Sequence, residues 1–518
     1  MPPARSTTLF RVTAALVLAG AALVTLIAHG RSRSPHATGP TRGGKLVFAR
    51  PADIRSLDPT AVFDNPSIWA QEQIYETLYT VTADGRGVRP WLASRYTLSR
   101  DKRTWTFDLR PGIRFSNGRP LRAADVAYSI ERARKSKNGF GYIDAAIASV
   151  RSPDDRTVVV RTRYPWAPLV ADLSLFVNGI VPRDLGGLSP GEFFRHPVGT
   201  GPFTVTAWSR GNFLRLRRNP YYWQRGKPYL DQVEFTVVAD DATRFARLSA
   251  GDAQVVESQP AAVTALRHAA AASATVFPST RIDVLLPNER YKPLADVHVR
   301  RAIAAAIDRR AIVGAVLGGH GRPANSTFPE RVPFYNPRNP GAAFDPGQAK
   351  EELARSAYPH GFKLDFLTSS DPNYTDIARG VQQELAPLGI DVTIRTVPPT
   401  DLFGLQQKFD YQLSIDVWTM DIPDPDEYAA YSLSAEGGAH AFYTEFDDPH
   451  MTALVKRAER TFSPAARQAL YAQIQRLADA DVPQIPLYYS PLVYGVADNV
   501  HGFRVYPLGN YHLEQVYY

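Results

Sequence analysis

The chain has 518 residues, 44% hydrophobic and 21% charged, with a net charge of +8, which is enough material for several buried cores. Its 59 basic residues are interleaved with 51 acidic ones and form no Lys/Arg block, which argues against a nucleic-acid partner and for a mildly basic solvated surface. The absence of cysteine excludes disulfides, thiolate metal sites, a Cys nucleophile and a lipid-modified amino-terminal Cys.

Arg5 and Arg11 precede the uncharged apolar run Val12–Ala28, and Ala28-His29-Gly30 places small residues for a cut after Gly30. Residues 1–30 therefore read as a secretory signal peptide or an N-terminal membrane anchor, since a span takes roughly 17–25 residues. Both imply export. Residues 31–43 are polar, with Pro, Gly and Ser, and read as a flexible leader; no later apolar run is long enough to span.

Lys45–Arg50 is a short strand behind Gly43-Gly44, and a helix is expected from about Ser67 to Tyr79. Thr104–Arg110 alternates as a strand, with turns at Pro111-Gly112 and Asn117-Gly118. Leu121–Arg134 has apolar residues at helical spacing with Asp125 in its first turn. Gly199-Thr200-Gly201-Pro202 reads as a tight crossing turn that needs backbone freedom at two glycines. Asn219-Pro220 opens a turn before Tyr221-Tyr222-Trp223, whose rings read as packing. Leu248–Glu257 is a helix-to-strand passage. Arg300-Arg301 followed by Ala302, Ile303, Ala306 and Ile307 reads as an amphipathic helix that continues past Ile307, with Asp308-Arg309-Arg310 expected in its middle as a salt-bridged face. A helix over Tyr374–Ala386 and a strand over Gly389–Ile394 make an α/β unit, and a long helix at Pro464–Asp481 leads to a strand at Ile485–Tyr489.

Leu413, Ile415 and Val417 alternate with polar residues as a half-buried strand, which runs into a loop carrying Trp418, Asp421, Pro423 and Pro425. The prolines end the strand and stiffen the loop. An aromatic plate and a carboxylate on a rigid strand end suit an amine-bearing small molecule. A core Trp beside a solvated acidic turn is the other reading, and these residues alone leave both open. Asp424-Pro425-Asp426-Glu427 and Asp447-Asp448 lack the glycine and ligand spacing of a calcium loop and read as solvated acidic turns. There is no GxSxG, HExxH, P-loop or dinucleotide fingerprint, and the 11 histidines are dispersed. The chain reads as a binder with no catalytic residues, metal or cofactor.

GGKLVFA, SLDPT, QIYETLY, the WTFDLRPGIRFSNGRPLRAADVAYSIERA block, PVGTGPFTVTAW, RRNPYYW, KPYLDQVEF and VRRAIAAAIDRRAIV occur in that order. Together they resemble the extracellular solute-binding protein family 5, the substrate-binding proteins of oligopeptide, dipeptide and nickel-type ABC importers, and the resemblance runs from about Gly43 to the carboxyl end. It implies an α/β, periplasmic-binding-protein-like two-lobed fold with an additional inserted domain, three domains in all, with a hinge between the lobes. Following the family's chain crossings, lobe I takes residues 44–75, 198–284 and 490–518, the inserted domain 76–197, and lobe II 285–489. The implied function is capture of di- to oligopeptides outside the cytoplasmic membrane for permease subunits served by cytoplasmic ATPases, by a monomer. The alternatives are a non-peptide solute (oligosaccharide, opine, haem or nickel chelate) or a peptide-sensing, chaperone-like surface protein.

In peptide-binding members a Trp-x-x-Asp motif supplies an aspartate for the ligand's amino terminus. Trp418-Thr419-Met420-Asp421 matches that spacing and Asp424-Pro425 matches the family's acid-Pro, while Ile422 departs from the usual Tyr. The resemblance likewise turns Phe63-Asp64-Asn65 toward the ligand. Val417 and Trp418 offer a strand edge, and Phe140 or Tyr142 and Tyr488 or Tyr489 are the expected aromatic walls.

Overall fold

Strand β1 (Lys45–Arg50) fully buries Leu46, Phe48 and Ala49 within the largest sheet of the computed structural model, which describes residues 39–136, 140–267, 272–437 and 439–518, with Tyr142 described by its backbone alone. The next strands along the chain are β2 (Tyr79–Val81), β3 (Val88–Pro90), β4 (Ala93–Leu98), β5 (Thr104–Leu109), β6 (Ile147–Arg151), β7 (Thr157–Thr162), β8 (Phe203–Ser209) and β9 (Phe213–Arg218). After them come β10 (Gln232–Val237), β11 (Val255–Ser258), β12 (Ala272–Pro287), β13 (Arg322–Pro323), β14 (Lys363–Ser369), β15 (Asp391–Val397), β16 (Leu413–Trp418) and β17 (Ile485–Ala497).

The large sheet runs β15-β14-β16-β12-β17-β11-β1-β10-β9-β8, with β13 added beside β17; β4-β5-β7-β6 form a separate antiparallel sheet and β2-β3 a hairpin. Parallel and antiparallel pairs mix, and helices alternate with strands, so the fold class is α/β. Arg42–Tyr518 pack as one compact unit. Its spine is the antiparallel pair β12 and β17, in register from Ala272↔Ala497 to Leu285↔Ile485 with shifts between Phe277 and Arg281 and between Asp283 and Val284.

Two apolar clusters sit on this sheet. Phe48 packs its ring against Phe235 at 5.5 Å and Tyr511 at 5.4 Å, in a cluster that includes Ile68 and Trp69. The helix Pro372–Leu385 lays Ile377, Ala378, Val381 and Leu385 against Phe366, Leu413 and Ile415. Each such large side chain contributes roughly 1.5–3 kcal/mol of burial, so the strand that carries Trp418 is fixed from beneath.

Several expectations change. The helix near Ser67 spans only Asn65–Gln71, because the Gln73 and Ile74 carbonyls are taken by the N–H groups of Phe203 and Gly201. The glycines of the Gly199–Pro202 turn answer to space rather than to dihedral freedom: neither has positive φ, but a Cβ on Gly199 would lie 2.0 Å from the Ile74 oxygen. Asp308-Arg309-Arg310 is not a mid-helix salt-bridged face. The helix Val297–Ala306 stops, and Asp308 caps a second helix, Arg309–Leu317. Arg309 is buried, donating to the carbonyls of Pro486 and Ala304. Nor is Asp424–Glu427 a solvated turn: Asp424, Asp426 and Glu427 are all buried.

Candidate functional site

β12 follows β16 along its whole length, from Ile282↔Trp418 to Pro287↔Leu413. β14 pairs with it only at Phe366↔Leu413 and Leu367↔Ser414. Beyond Ser414 the outer edge of β16 therefore has no strand partner among the described residues. Side chains hold part of it: the Val417 N–H donates to Asp416 Oδ1 at 2.7 Å, and Gln406 Nε2 donates to the Ile415 carbonyl at 3.1 Å. A cavity of about 400 Å³ lies against this edge.

Aromatic rings wall the cavity. Trp418 meets Tyr431 at 5.0 Å and Phe442 edge-on at 5.4 Å, and the hydroxyls of Tyr431 and Tyr443 are 2.9 Å apart. The Trp418 indole N–H is buried without a hydrogen-bond partner among the described residues, a donor that a polar ligand would satisfy. Elsewhere in the wall Phe63, 37% exposed, stacks on Phe403, and Arg55 lies over the Phe63 ring at 5.3 Å.

Beyond Trp418 the loop is pinned by a buried carboxylate. Glu427 accepts the N–H groups of Asp421 (3.0 Å) and Ile422 (2.9 Å). Asp424 accepts two bonds from Arg467, at 2.7 and 2.8 Å, a bidentate geometry. Asp421 is thus held at the cavity wall by its backbone, and no Arg or Lys among the described residues pairs with its side chain. Burial pushes the Asp421 carboxyl up to about 7 and that of Asp416 likewise to about 7. Glu72, one residue beyond the helix Asn65–Gln71, is pushed to about 8 by burial and by the charge of Asp421. A half-buried acid with no counter-ion among the described residues is poised to gain from an arriving cation. No group of three or more His, Asp or Glu among the described residues is arranged to hold a metal ion.

Seven of the predicted residues, Phe63, Asp64, Asn65, Phe140, Val417, Trp418 and Asp421, line this one cavity. Asp64 is occupied there as a helix cap: Oδ1 accepts the Ser67 N–H (3.0 Å) and hydroxyl (2.8 Å), and Oδ2 lies 3.7 Å from Arg55 Nε. Tyr489 lies elsewhere. It is buried, and its hydroxyl donates toward the Ser326 and Phe328 carbonyls at 2.9 and 3.1 Å; Tyr488 is buried in the core beneath. Phe140 is in the wall, and the side chain of Tyr142 lies outside the described residues.

Sequence reasoning missed Phe403, Gln407, Tyr431, Phe442 and Tyr443, all part of the wall. One signal was available for Tyr431. Pro425 starts a helix, Asp426–Ser432, and Tyr428 and Tyr431 at i, i+3 share the face that meets Trp418.

The family model of bacterial extracellular solute-binding proteins, family 5 (middle), matches residues 87–440. The chain is 28% identical over 488 residues to the probable D,D-dipeptide-binding periplasmic protein DdpA of Escherichia coli (strain K12), covering 91% of this chain and 93% of that one. Its fold is similar to that of the ABC transporter-associated periplasmic binding protein DppA from Helicobacter pylori in complex with peptide STSA, at a TM-score of 0.82 and 27% identity over 92% of this chain and 98% of that one. It is equally similar to the periplasmic binding protein AgaA from A. tumefacien R10 in complex with agropinic acid, at a TM-score of 0.82 and 25% identity over 91% and 98% of the two chains.

Proposed function

This chain belongs to the bacterial extracellular solute-binding proteins of family 5, and from that premise we propose that it captures small peptides outside the cytoplasmic membrane for an ABC importer, with Asp421 receiving the ligand's amino terminus. The observation that carries this reading is the Asp421 carboxylate without a cationic partner, set in an aromatic cavity beside the open edge of β16. An extended peptide can use such an edge for main-chain hydrogen bonds while rings accept its side chains. Phe63, Asn65, Val417 and Trp418 contribute the surrounding surface, and Asp64 acts through the helix it caps.

The likeness to peptide-complexed and dipeptide-binding proteins supports the ligand class. In this reading the chain is an exported monomer that serves membrane permease subunits and cytoplasmic ATPases. Residues 44–75, 198–284 and 490–518 form one lobe, 76–197 an inserted domain and 285–489 the other lobe. The sheet β4-β5-β7-β6 falls inside the span given to the inserted domain, and the lobe boundaries at 284/285 and 489/490 fall within the long strands β12 and β17. A second reading, an opine as ligand, is favoured by the likeness to AgaA in complex with agropinic acid.

The test is calorimetric titration of residues 44–518 with di- to pentapeptides, the same peptides acetylated at the amino terminus, and opines. Binding of free but not acetylated peptides is expected. Binding of opines alone would replace the peptide by the second reading.

A further inference from the structure

A second, smaller cavity of about 50 Å³ has Gln71, Glu72, Glu76, Asn510 and Tyr511 in its wall. The carboxylate of Glu76 is satisfied, accepting from the indole N–H groups of Trp91 (2.8 Å) and Trp223 (3.0 Å) and from the Tyr222 hydroxyl (3.2 Å). Three other acceptors in the wall are buried and have no donor among the described residues: Glu72 Oε2, Gln71 Oε1 and Asn510 Oδ1. Gln71 is 2% exposed and Asn510 7%. The Tyr511 hydroxyl, also buried, is without a partner among the described residues too. No Arg or Lys among the described residues lines this cavity, but His512 does: its Nδ1 is 3.3 Å from Glu514 Oε1, and its Nε2 is buried without a partner among the described residues.

Orphaned acceptors around an acidic pocket ask for a donor that carries positive charge. A primary ammonium supplies three N–H donors from one compact centre, which matches three acceptors in a space this small; a guanidinium is a larger planar fork. The two cavities share no lining residue, and one helix joins their walls. Glu72 comes directly after the helix Asn65–Gln71, whose first residues line the larger cavity. Ile422, next to Asp421, packs in the same cluster as Ile68 and Trp69 of that helix. Glu72 and Asp421 are therefore neighbours, near enough that the charge of one acts on the other.

We propose that Glu72, with Gln71 and Asn510, forms a subsite for a second ammonium group of the ligand, so that the protein selects peptides whose first residue carries a side-chain amine. This rests on the reading of Asp421 as the site of the ligand's α-amine, and adds a selectivity that reading does not contain. The four-carbon stem of a lysine spans from one carboxylate toward the other, whereas a neutral stem of equal length leaves every acceptor of the small cavity unpaired.

The experiment is calorimetry with Lys-Ala and norleucyl-Ala, which differ only by the terminal amine in place of a methyl group, on the wild type and on Glu72→Gln. Lys-Ala is expected to bind about tenfold or more tightly than norleucyl-Ala, as a charge-assisted bond contributes, with the ratio collapsing toward one in Glu72→Gln. Equal wild-type affinities overturn the subsite and leave the Asp421 reading standing. Binding of neither peptide overturns both. The wild-type comparison decides the matter even if the variant does not fold.

Discussion

Phe63 stacks on Phe403 with ring centroids 4.7 Å apart and 19° between planes, joining the segment before the helix Asn65–Gln71 to the helix Pro399–Gln407. Neither ring is buried in a core, so the pair shapes the cavity more than it holds the fold. A stacked aromatic pair contributes roughly 0.5–1.5 kcal/mol. Phe403→Ala should weaken ligand binding about 2- to 10-fold while leaving the melting temperature of the ligand-free protein nearly unchanged. Calorimetry and a thermal melt on the same sample check this; a lower Tm with unchanged affinity would assign the stack to stability instead.

Asp421→Asn keeps the side-chain volume and removes the charge. Loss of a charge-assisted bond to an ammonium costs about 1.5–3 kcal/mol, or roughly a 10- to 150-fold weaker Kd. The same variant should not discriminate against amino-acetylated peptides, which never made that bond. A uniform loss for free and acetylated peptides alike would point to misfolding of the loop.

Binding and stability should respond to pH in opposite directions. An ammonium needs Asp421 ionised, and burial holds that carboxyl near 7, so affinity should fall as pH drops from 8 to 5.5, by up to about tenfold per unit below the transition. Without ligand the sign reverses. Glu72 near 8 and Asp421 near 7 exceed the unfolded carboxylate value of about 4, so the folded state binds more protons across that interval. Stability conferred by those protons is full near pH 4 and is lost as pH rises through 7 to 8. Thermal melts at pH 5.5 and 8 should show the higher Tm at 5.5 in the free protein, with the gap narrowing when peptide is present.

Arg467→Ala should be among the most destabilising single changes on this side of the molecule. It removes both bonds to buried Asp424 and leaves Asp424 and Asp426 together without their cation. Stranding one member of a buried pair costs about 3–5 kcal/mol. Urea titration measures it; a loss below about 1 kcal/mol would mean that water reaches Asp424 in the variant.

Strand periodicity was readable in Thr104–Leu109 and Leu413–Trp418, which alternate in sequence, and the short apolar run Lys45–Arg50 is a strand as expected, although Leu413, Ser414 and Ile415 are buried on both faces instead of one. The helix Pro464–Asp481 was equally plain. What failed depends on partners far away in the chain. The run Ser67–Tyr79 has helical composition, yet the chain leaves the helix at Glu72 because Gly201 and Phe203 need the carbonyls of Ile74 and Gln73. The acids at Asp424, Asp426 and Glu427 look solvated until Arg467 and the Asp421 N–H are brought to them. In the site, Trp418 and Asp421 stood out as a rigid strand end, whereas Phe403 and Phe442 carry no local mark and become wall residues only through packing around Trp418 and Phe63.

An uncovered strand edge on the outside of a protein is a template onto which other chains can pair and aggregate. The edge of β16 beyond Ser414 escapes that hazard by its position, recessed in a space of about 400 Å³ between rings of Phe63, Phe403 and Tyr443. A strand from a misfolded neighbour is too long to enter, while a segment of a few residues is not. On the proposed reading of this cavity, the same recess would offer the free part of the edge to short segments and withhold it from whole proteins.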